Sequence, residues 1–484
     1  MTLFTVVWMV LPFLVGFSIY LLPRLDRPLA LGVTLVSLAY GISLFFQPGG
    51  FDIRLMDSFG VTLLADNLSA WFILTNTLVT AAVVIYCWPT AKSAFFYTQA
   101  IILHGSINAT FICADFISLY VALEVVGIAA FLLIAYPRSN KTLWVALRYL
   151  FISNTAMLFY LIGAILVYQT HQSFAFTGLR GAPVEAVTLI IGGLLTKGGI
   201  FVSGLWLPLT HSEAESPVSA LLSGVVVKAG VFPLVRFALM MEELTPLMAV
   251  LGVASALLGV IYALCQTDAK RVLACSTLSQ LGWILAVPPA AGLFALAHGL
   301  AKATLFLTVG NLPSRDLPRL RQQPIQTSLW VPLTLASLSI SGFPGLVGFG
   351  SKLATLKAAL PWQPPLLNLA AVGTAVLYAQ FIFLPHQRDD KDNWLSAKPG
   401  LWWALGLLIG AMVVANGAYV GAYTLANLIK VLVILGVGWL LQQWLLVRMS
   451  VGFPRGLEAF EHLIGGMSLA LVALFWMVGS WLAI

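Results

Sequence analysis

Six ionisable side chains lie in the middle of long apolar stretches of the sequence, where a charged group is costly. They are Glu124, Lys197, Lys228, His298, Lys302 and Lys352. In a membrane helix such residues are rare, and they commonly mark proton relays and ion pathways. A buried ammonium persists only if a neighbour compensates its charge or if it releases its proton, which is the behaviour that a relay requires. We therefore predict that these residues translocate protons.

Each of these residues also has a structural explanation. Glu124 could form an ion pair inside the helix bundle, and His298 could make a satisfied hydrogen bond between helices. A lysine near the end of a span can extend its ammonium to the membrane surface. That explanation does not fit Lys197, Lys228 and Lys302, which stand far from both ends of their apolar segments. His298 and Lys302 are four residues apart and therefore share one helix face.

The elements that must hold these residues are membrane-spanning helices. The chain has 484 residues, of which 60% are hydrophobic and 9% are charged, whereas a soluble domain is about 25% charged. Hydropathy gives about sixteen apolar segments of roughly 20 residues, the length that crosses a bilayer as a helix. They lie near residues 3–22, 29–47, 68–89, 94–113, 116–136, 143–169, 186–207, 217–240, 246–265, 271–288, 291–311, 328–356, 366–385, 400–422, 424–447 and 459–483. We predict an all-α integral membrane protein with about 14–16 transmembrane helices, and a short hairpin in the connection 48–67.

Two of the segments are interrupted by glycine and proline at matching places. Lys197 is followed directly by Gly198 and Gly199, and Lys352 ends the run SGFPGLVGFGSK. Four full spans lie between the two interrupted ones, and discontinuous helices build ion sites in inverted-repeat transporters. The alternative is two unrelated kinks. We predict two inverted five-helix repeats, each with a broken helix, within this division of the chain: N-terminal helices 1–113, first repeat 94–240, second repeat 246–385 and C-terminal helices 400–484.

The basic residues of the loops alternate along the chain. When the connections are numbered in order, the odd ones hold Arg24, Arg27, Lys92, Arg138, Lys141, Lys270, Arg271, Arg315, Arg319, Arg321, Arg388, Lys391, Lys398, Arg448 and Arg455. The even connections are poor in lysine and arginine. Because basic loops stay in the cytoplasm, the odd loops should be cytoplasmic and both termini non-cytoplasmic. One odd loop disagrees, since the stretch from His211 to Glu215 is acidic.

Several classes of function are excluded by the motifs that the sequence lacks. The four cysteines, Cys87, Cys113, Cys265 and Cys275, form no C-x-x-C pair and lie in or beside apolar segments, which is typical of small buried side chains rather than of an iron–sulfur cluster. Dinucleotide-binding, P-loop and H-E-x-x-H motifs are absent. We expect no cofactor and no metal in this chain. The net charge is +7, but the basic residues form no polybasic tail, so we expect no nucleic-acid partner. The apolar start of the chain, without a basic region, predicts a first span rather than a cleaved signal peptide.

Longer strings around the charged residues carry a family resemblance. The strings are WLP at 206–208, HSEAESPVSALLSGVVVKAG, DAKRVLACSTLSQLG, HGLAKATLFLTVGNL and SGFPGLVGFGSK. They resemble the antiporter-like proton-pumping subunits shared by respiratory complex I and the Mrp-type sodium/proton antiporters, over roughly residues 60–385. The resemblance implies that Glu124 on the fifth span pairs with Lys197 on the broken seventh span. It also implies roles for the other four: Lys228 and Lys302 as central lysines, His298 as the histidine one turn before Lys302, and Lys352 as the terminal charged group of the broken twelfth span.

Details within the resemblance favour one subtype. The string HSEAESPVSALLSG and the lysine at position 352 look closer to the Mrp D subunit, because the complex I subunit of similar length usually has glutamate there. Leu209 and Thr210 stand where the family usually has Asp-Ala, which predicts an altered cytoplasmic mouth near span seven. Two further apolar segments, from about 424 to 483, extend past fourteen spans and could dock a neighbouring subunit.

We therefore expect a proton- and monovalent-cation-translocating membrane subunit of a multisubunit Mrp-type cation:proton antiporter. The alternative is a proton-pumping membrane-arm subunit of a complex I-like NADH or ferredoxin:quinone oxidoreductase, in which partner chains carry the electrons. Whether the assembly is an enzyme stays open between these two interpretations. The expected partners are other membrane subunits, protons, Na⁺ and the lipid bilayer. The expected location is a bacterial plasma membrane, with a thylakoid or another energy-transducing membrane as the alternative.

Overall fold

The structure, a computed structural model, is built almost entirely of helices and describes residues 2–47, 49–56, 60–388, 398–445 and 460–482. The first helices are α1 (Thr2–Leu21), α2 (Asp26–Phe45), α3 (Asn67–Cys87), α4 (Ala94–Thr110), α5 (Phe116–Ile134), α6 (Asn140–His171) and α7 (Val184–Gly198). The next are α8 (Leu207–Glu213), α9 (Ser216–Leu221), α10 (Val227–Met240), α11 (Thr245–Leu264), α12 (Ala269–Ala286), α13 (Ala291–Val309) and α14 (Leu317–Gln322). The last are α15 (Thr327–Ser341), α16 (Val347–Ala358), α17 (Gln363–Ile382), α18 (Pro399–Ala415), α19 (Leu425–Leu445) and α20 (Phe460–Leu482).

The predicted all-α multispan architecture is confirmed. Within the described residues, 12 helical segments are long and apolar enough to cross a membrane. The remaining four predicted spans correspond to α4, α12, the α15–α16 pair and α20. Three of them are shorter, interrupted or more polar: α4 has only 17 residues, the α15–α16 pair is broken, and α12 has Lys270 and Arg271 in its first turn and carries Gln280. The chain is an integral, multi-pass membrane protein.

Both predicted helix breaks are present, and glycine makes each of them. Helix α7 ends at Gly198, Gly199 adopts a left-handed φ of 66°, and the chain resumes as a 3₁₀ turn (Phe201–Gly204) followed by α8. In the second break Gly342 caps α15 with a φ of 93°, and α16 begins at Val347. A residue with a side chain is strained at such φ values, so glycine is the residue that stops the helix there.

The two broken helices run in opposite directions through the protein. Helix α7 follows the sixth connection, and α8 leads into the seventh. Helix α15 instead starts at strand β3 (Ile325–Gln326), which pairs with β4 (His386–Gln387) in the thirteenth connection. The first therefore runs from the side of the even loops to the side of the odd loops, and the second runs back. This is the orientation expected of inverted repeats.

The odd-numbered connections gather on one face of the molecule. Lys92 of the third connection forms an ion pair of 2.6 Å with Glu215 of the seventh, and Lys141 of the fifth forms one of 2.9 Å with Glu213. Lys270 of the ninth donates a hydrogen bond of 2.8 Å to the carbonyl of Ala214. The acidic stretch that departed from the charge alternation is therefore neutralised by lysines of neighbouring odd loops. Its charge does not contradict the common side of these loops.

The even-numbered connections form the opposite face. The predicted hairpin is present as β1 (Phe51–Arg54) and β2 (Thr62–Ala65), paired antiparallel. Asp115 of the fourth connection accepts a hydrogen bond of 2.8 Å from the Thr62 amide and caps α5 through the Ser118 amide. These contacts hold the second and fourth connections together over the ends of α3 and α5.

The interior of the bundle is formed by α10, α12 and α13, which are almost wholly buried. The outer helices expose large apolar side chains instead, for example Trp403 on α18 at 75% and Leu469 on α20 at 73%. Lipid is as apolar as leucine, so such exposure is normal within a membrane. The last two helices pack on different helices of the bundle: α19 packs on α17, and α20 packs on α7.

Candidate functional site

The six predicted residues lie on five helices, α5, α7, α10, α13 and α16. Five of the side chains are buried, with residue exposures from 0% for Lys228 and Lys302 to 6% for Lys352. Glu124 is half-buried. Burying five basic groups without a neighbouring carboxylate in contact is costly, so their hydrogen-bond partners determine what they can do.

Lys197 lies at the end of α7, against the face of α5 that carries Glu124. Its Nζ donates a hydrogen bond of 2.5 Å to Ser153 Oγ on α6. A Cβ atom at Gly127 would come within 2.9 Å of Nζ, so the missing side chain at this position makes room for the ammonium. Gly127 is one helical turn after Glu124, whose buried Oε1 has no hydrogen-bond partner. Among the described residues, no direct ion pair joins Glu124 and Lys197. The Lys197 ammonium lies beside Gly127, about one turn of α5 away from Glu124.

A hydrogen bond between Lys228 and His298 joins α10 to α13. Lys228 Nζ lies 3.0 Å from His298 Nδ1 and donates a 2.5 Å hydrogen bond to the Gly224 carbonyl. The residues before Lys228, Leu222–Val226, form a π-helical turn, a widened geometry that is frequent at functional sites. With Nδ1 as the acceptor, the hydrogen of a neutral His298 is assigned to Nε2, which is buried and has no partner.

Lys302 shares a helix with His298 but contacts different groups. Its Nζ donates hydrogen bonds of 2.7 Å to the Leu273 carbonyl and 2.8 Å to the Tyr378 hydroxyl. The Tyr378 hydroxyl in turn shares a 2.7 Å hydrogen bond with Ser276 Oγ. Among the described residues, no direct hydrogen bond joins His298 to Lys302. A proton that passes from one to the other, as the sequence predicts, would therefore need an intermediate group.

Lys352 faces His298 across a small cavity. The cavity has about 10 Å³ for the centre of a water molecule, which is roughly the space that one water needs. The residues that line it include five with polar side chains, His298, Lys352, Gln280, Ser339 and Ser351. The Lys352 ammonium lies 5.4 Å from the centre of the Trp283 ring and 3.4 Å from the Ser341 carbonyl. Since Lys352 is buried, exchange with either side of the membrane requires a path that is closed in this conformation.

His211 is a further candidate that the apolar segments did not reveal, because it lies in a connection between two of them. It lies on α8, is fully buried, and neither ring nitrogen has a hydrogen-bond partner. Its ring stacks on Phe306, with centroids 5.2 Å apart, and Phe306 is one turn after Lys302. The available signal was its place in the string WLPLTHSE. Thr210, which stands where the resembled family usually has alanine, donates a hydrogen bond of 2.9 Å to the Trp206 carbonyl.

Arg236 on α10 is a further buried charge that was not predicted from the sequence. It pairs with Asp66, the N-cap of α3, and donates a hydrogen bond of 3.0 Å to Ser69 Oγ. Burial alone would raise the pKa of the Asp66 carboxyl, but the hydrogen bonds and charge of Arg236 lower it below its usual value. This pair ties the helix of Lys228 to the loop-facing end of α3. Among the described residues, no three His, Cys, Asp or Glu side chains gather as a metal-ligand set.

The sequence and the fold are both similar to known proteins. A model of the family described as NADH:quinone oxidoreductase/Mrp antiporter, TM, matches residues 113–378. Chain 4 1 of the NAD(P)H-quinone oxidoreductase of Synechococcus elongatus is 29% identical over 322 residues, which cover 60% of this chain and 60% of the relative. The protein of the same description from Synechococcus sp. (strain JA-2-3B'a(2-13)) is 28% identical over 414 residues, 76% of this chain and 78% of the relative.

Solved structures agree on the fold. A chain of the Mrp complex from Dietzia sp. DQ12-45-1b superposes with a TM-score of 0.73 at 18% identity, covering 96% of this chain and 100% of that chain. A chain of respiratory complex I from Thermus thermophilus superposes with a TM-score of 0.71 at 22% identity, covering 88% and 98%. At these identities the likeness concerns the fold alone.

Proposed function

Because the chain belongs to the NADH:quinone oxidoreductase/Mrp antiporter transmembrane family, we propose that it is a proton-translocating membrane subunit of a complex I-like NAD(P)H:quinone oxidoreductase. The family match covers the helices that carry all six candidate residues, from α5 to α16. The chain would move protons, and partner chains would carry the electrons.

The observation that carries the proton-translocating part is the contact between Lys228 and His298. Two titratable groups, 3.0 Å apart and excluded from solvent, can exchange a proton without any rearrangement of the backbone. The same histidine has an unpartnered Nε2 and is one of the residues that line the cavity shared with Lys352. His298 is thus in contact with one lysine and shares a small cavity with the next.

Each remaining residue has a role in this proposal. Glu124 sets the charge state of Lys197 from across one turn of α5, since a negative charge favours a protonated lysine and a neutral carboxyl does not. Lys228, His298 and Lys302 carry protons laterally through the interior. Lys352 exchanges protons with one side of the membrane when its buried site opens. The odd loops face the cytoplasm, both termini lie on the other side, and the host membrane is a plasma or thylakoid membrane.

The choice of assembly rests on the relatives. Proteins 27–29% identical to this chain, from several cyanobacteria, are named chain 4 of NAD(P)H-quinone oxidoreductases. They favour the complex I-like interpretation over the Mrp D subunit that the sequence strings suggested. The Mrp-type antiporter is the second candidate, and the lysine at position 352 is the observation in its favour.

Identification of the partner chains tests the proposal. The chain carries an affinity tag in its host, the membranes are extracted in mild detergent, and the co-purified chains are identified by mass spectrometry. We expect hydrophilic electron-transfer subunits of a quinone reductase, and NAD(P)H-driven proton uptake by the same membranes. Recovery of small antiporter subunits together with Na⁺/H⁺ exchange that needs no electron donor would replace this function by the second candidate.

A further inference from the structure

The central lysine Lys302 has one partner that can pass a proton onward. Of its two hydrogen bonds, the one to the Leu273 carbonyl ends at an amide oxygen, which accepts a hydrogen bond but has no proton to give. The other goes to the hydroxyl of Tyr378, which is both donor and acceptor. This tyrosine is fully buried on α17 and comes from a part of the chain 76 residues away.

Two successive pairs of hydrogen-bonded side chains, between α12 and α17, lead from this contact towards the cavity of Lys352. Tyr378 shares its hydroxyl with Ser276 on α12, at 2.7 Å. One turn along both helices, Gln280 of α12 donates a longer hydrogen bond of 3.4 Å to Thr374 of α17. Gln280 also lines the cavity, together with His298 and Lys352. The two pairs are adjacent because residues four apart in a helix lie on the same face.

Building on the function proposed above, we propose that Tyr378, together with Ser276, is the relay that links Lys302 to the cavity of Lys352. Protonated Lys302 gives one proton to the Tyr378 oxygen, while the phenol proton moves to Ser276 Oγ. The hydroxyl proton of Ser276 moves to a water molecule on the Gln280 side, and that water protonates the neutral amine of Lys352. Tyrosine and serine end neutral, Lys302 ends as an amine, and one proton has moved. Rotation of the two hydroxyls then restores their starting orientations, and Lys302 must take up a new proton before the next transfer.

The alternative is that Tyr378 is a packing residue whose hydroxyl merely satisfies a buried donor. The chain contains a tyrosine of that kind for comparison. Tyr160 on α6 is equally buried, and its hydroxyl donates a 3.0 Å hydrogen bond to the backbone carbonyl of Phe116. Substitution of Tyr160 by phenylalanine therefore removes a buried hydroxyl outside the proposed path and serves as the matched control.

The test measures NAD(P)H-driven proton uptake in membrane vesicles that contain the assembled complex. The variants are Tyr378→Phe and Ser276→Ala, with Tyr160→Phe as the control and the amount of complex in each membrane measured by immunoblot. We expect proton uptake per complex to fall at least about tenfold in Tyr378→Phe, as for the loss of a positioned proton-transfer group. Ser276→Ala should show a loss of the same kind, and Tyr160→Phe should keep the wild-type rate.

A second readout separates a relay from a packing role. Replacement of Tyr378 by 3,5-difluorotyrosine keeps the hydroxyl and nearly the same shape but makes the phenol more acidic. Because its hydroxyl contacts the titratable Lys302, a relay role predicts that the pH profile of proton uptake shifts, whereas the same replacement at Tyr160 leaves the profile unchanged. Wild-type uptake in both Tyr378→Phe and Ser276→Ala, or an unshifted profile with difluorotyrosine at position 378, overturns the relay. Absence of donor-driven proton uptake by the wild-type complex overturns the proposed function itself, and the relay with it.

Discussion

Substitution of Lys302 by methionine and by arginine distinguishes a proton relay from a fixed positive charge. Methionine keeps the length and apolar stem but removes the titratable group. The structural cost should be small, because both partners keep another hydrogen bond: Thr277 Oγ1 donates to the Leu273 carbonyl at 2.9 Å, and Ser276 remains on Tyr378. We expect a loss in stability of less than about 2 kcal/mol, since neither partner is left unsatisfied and a buried charge is removed.

Arginine keeps a positive charge but hardly ever releases its proton. Its guanidinium is larger than an ammonium, and overfilling a fully buried site costs roughly 1–3 kcal/mol, which an assembled complex should tolerate. If Lys302 relays protons, both variants should lose donor-driven proton uptake by at least about 100-fold while the complex still assembles. The assay is dye-reported proton uptake in membrane vesicles, normalised to the amount of complex.

The matched control is Lys141→Met, because this lysine lies in a loop, its side chain is 68% exposed, and its ion pair with Glu213 is a surface one. It should leave the rate of proton uptake unchanged. Near-normal uptake in Lys302→Arg, with loss in Lys302→Met, would refute the relay reasoning. Lys302 would then act only as a fixed charge in the interior.

Three further predictions follow from other parts of the structure. Glu124→Gln should lower proton uptake at least about tenfold with normal insertion, because Lys197 loses the charge that faces it, and wild-type uptake would contradict this. A cysteine at the C-terminus, in a Cys265→Ser background, should react with an impermeant reagent in intact cells, and reaction only after permeabilisation would reverse the topology. Asp66→Asn should lower the stability of the detergent-purified protein by roughly 2–3 kcal/mol at pH 7, since Arg236 is left buried without its partner. Because the pKa of Asp66 is lowered in the folded protein, the ion pair contributes its full stability above the unfolded pKa of about 4, and this contribution is lost as the pH falls through the folded pKa. The melting curves of the wild type and of Asp66→Asn should therefore converge at low pH. A difference between them that persists unchanged at low pH would argue against this role of the pair.

Much of the fold could be predicted from the sequence because the membrane imposes a simple rule. Every backbone polar group must be satisfied within its own segment, so long apolar runs become helices wherever they occur. The breaks after Lys197 and before Lys352 were visible as glycine-rich strings, and both glycine caps at Gly199 and Gly342 adopt left-handed φ values. The charged residues within these runs were visible for a related reason, since an ionisable side chain is costly in lipid and therefore rare there.

The sequence alone could not determine which groups contact one another. His298 and Lys302 share one helix face, and that spacing suggested one continuous relay, yet the first contacts Lys228 and the second contacts Tyr378. Serine and tyrosine are ordinary residues in membrane helices, so Ser153 and Tyr378 gave no signal as partners of lysines. Charge pairing between loops was hidden for another reason, because Glu215 and its partner Lys92 are 123 residues apart in the sequence.

The amino-acid sequence by itself determined the class of the protein, its helices, their breaks and the six ionisable residues that lie within apolar segments. Those features depend on local composition and on the low polarity of lipid, and both can be evaluated along a single segment. The tertiary structure alone decided the partners of each lysine and the cavity between His298 and Lys352. These depend on how helices far apart in the chain pack together, and a shift of one helix by a single turn would exchange every one of those contacts.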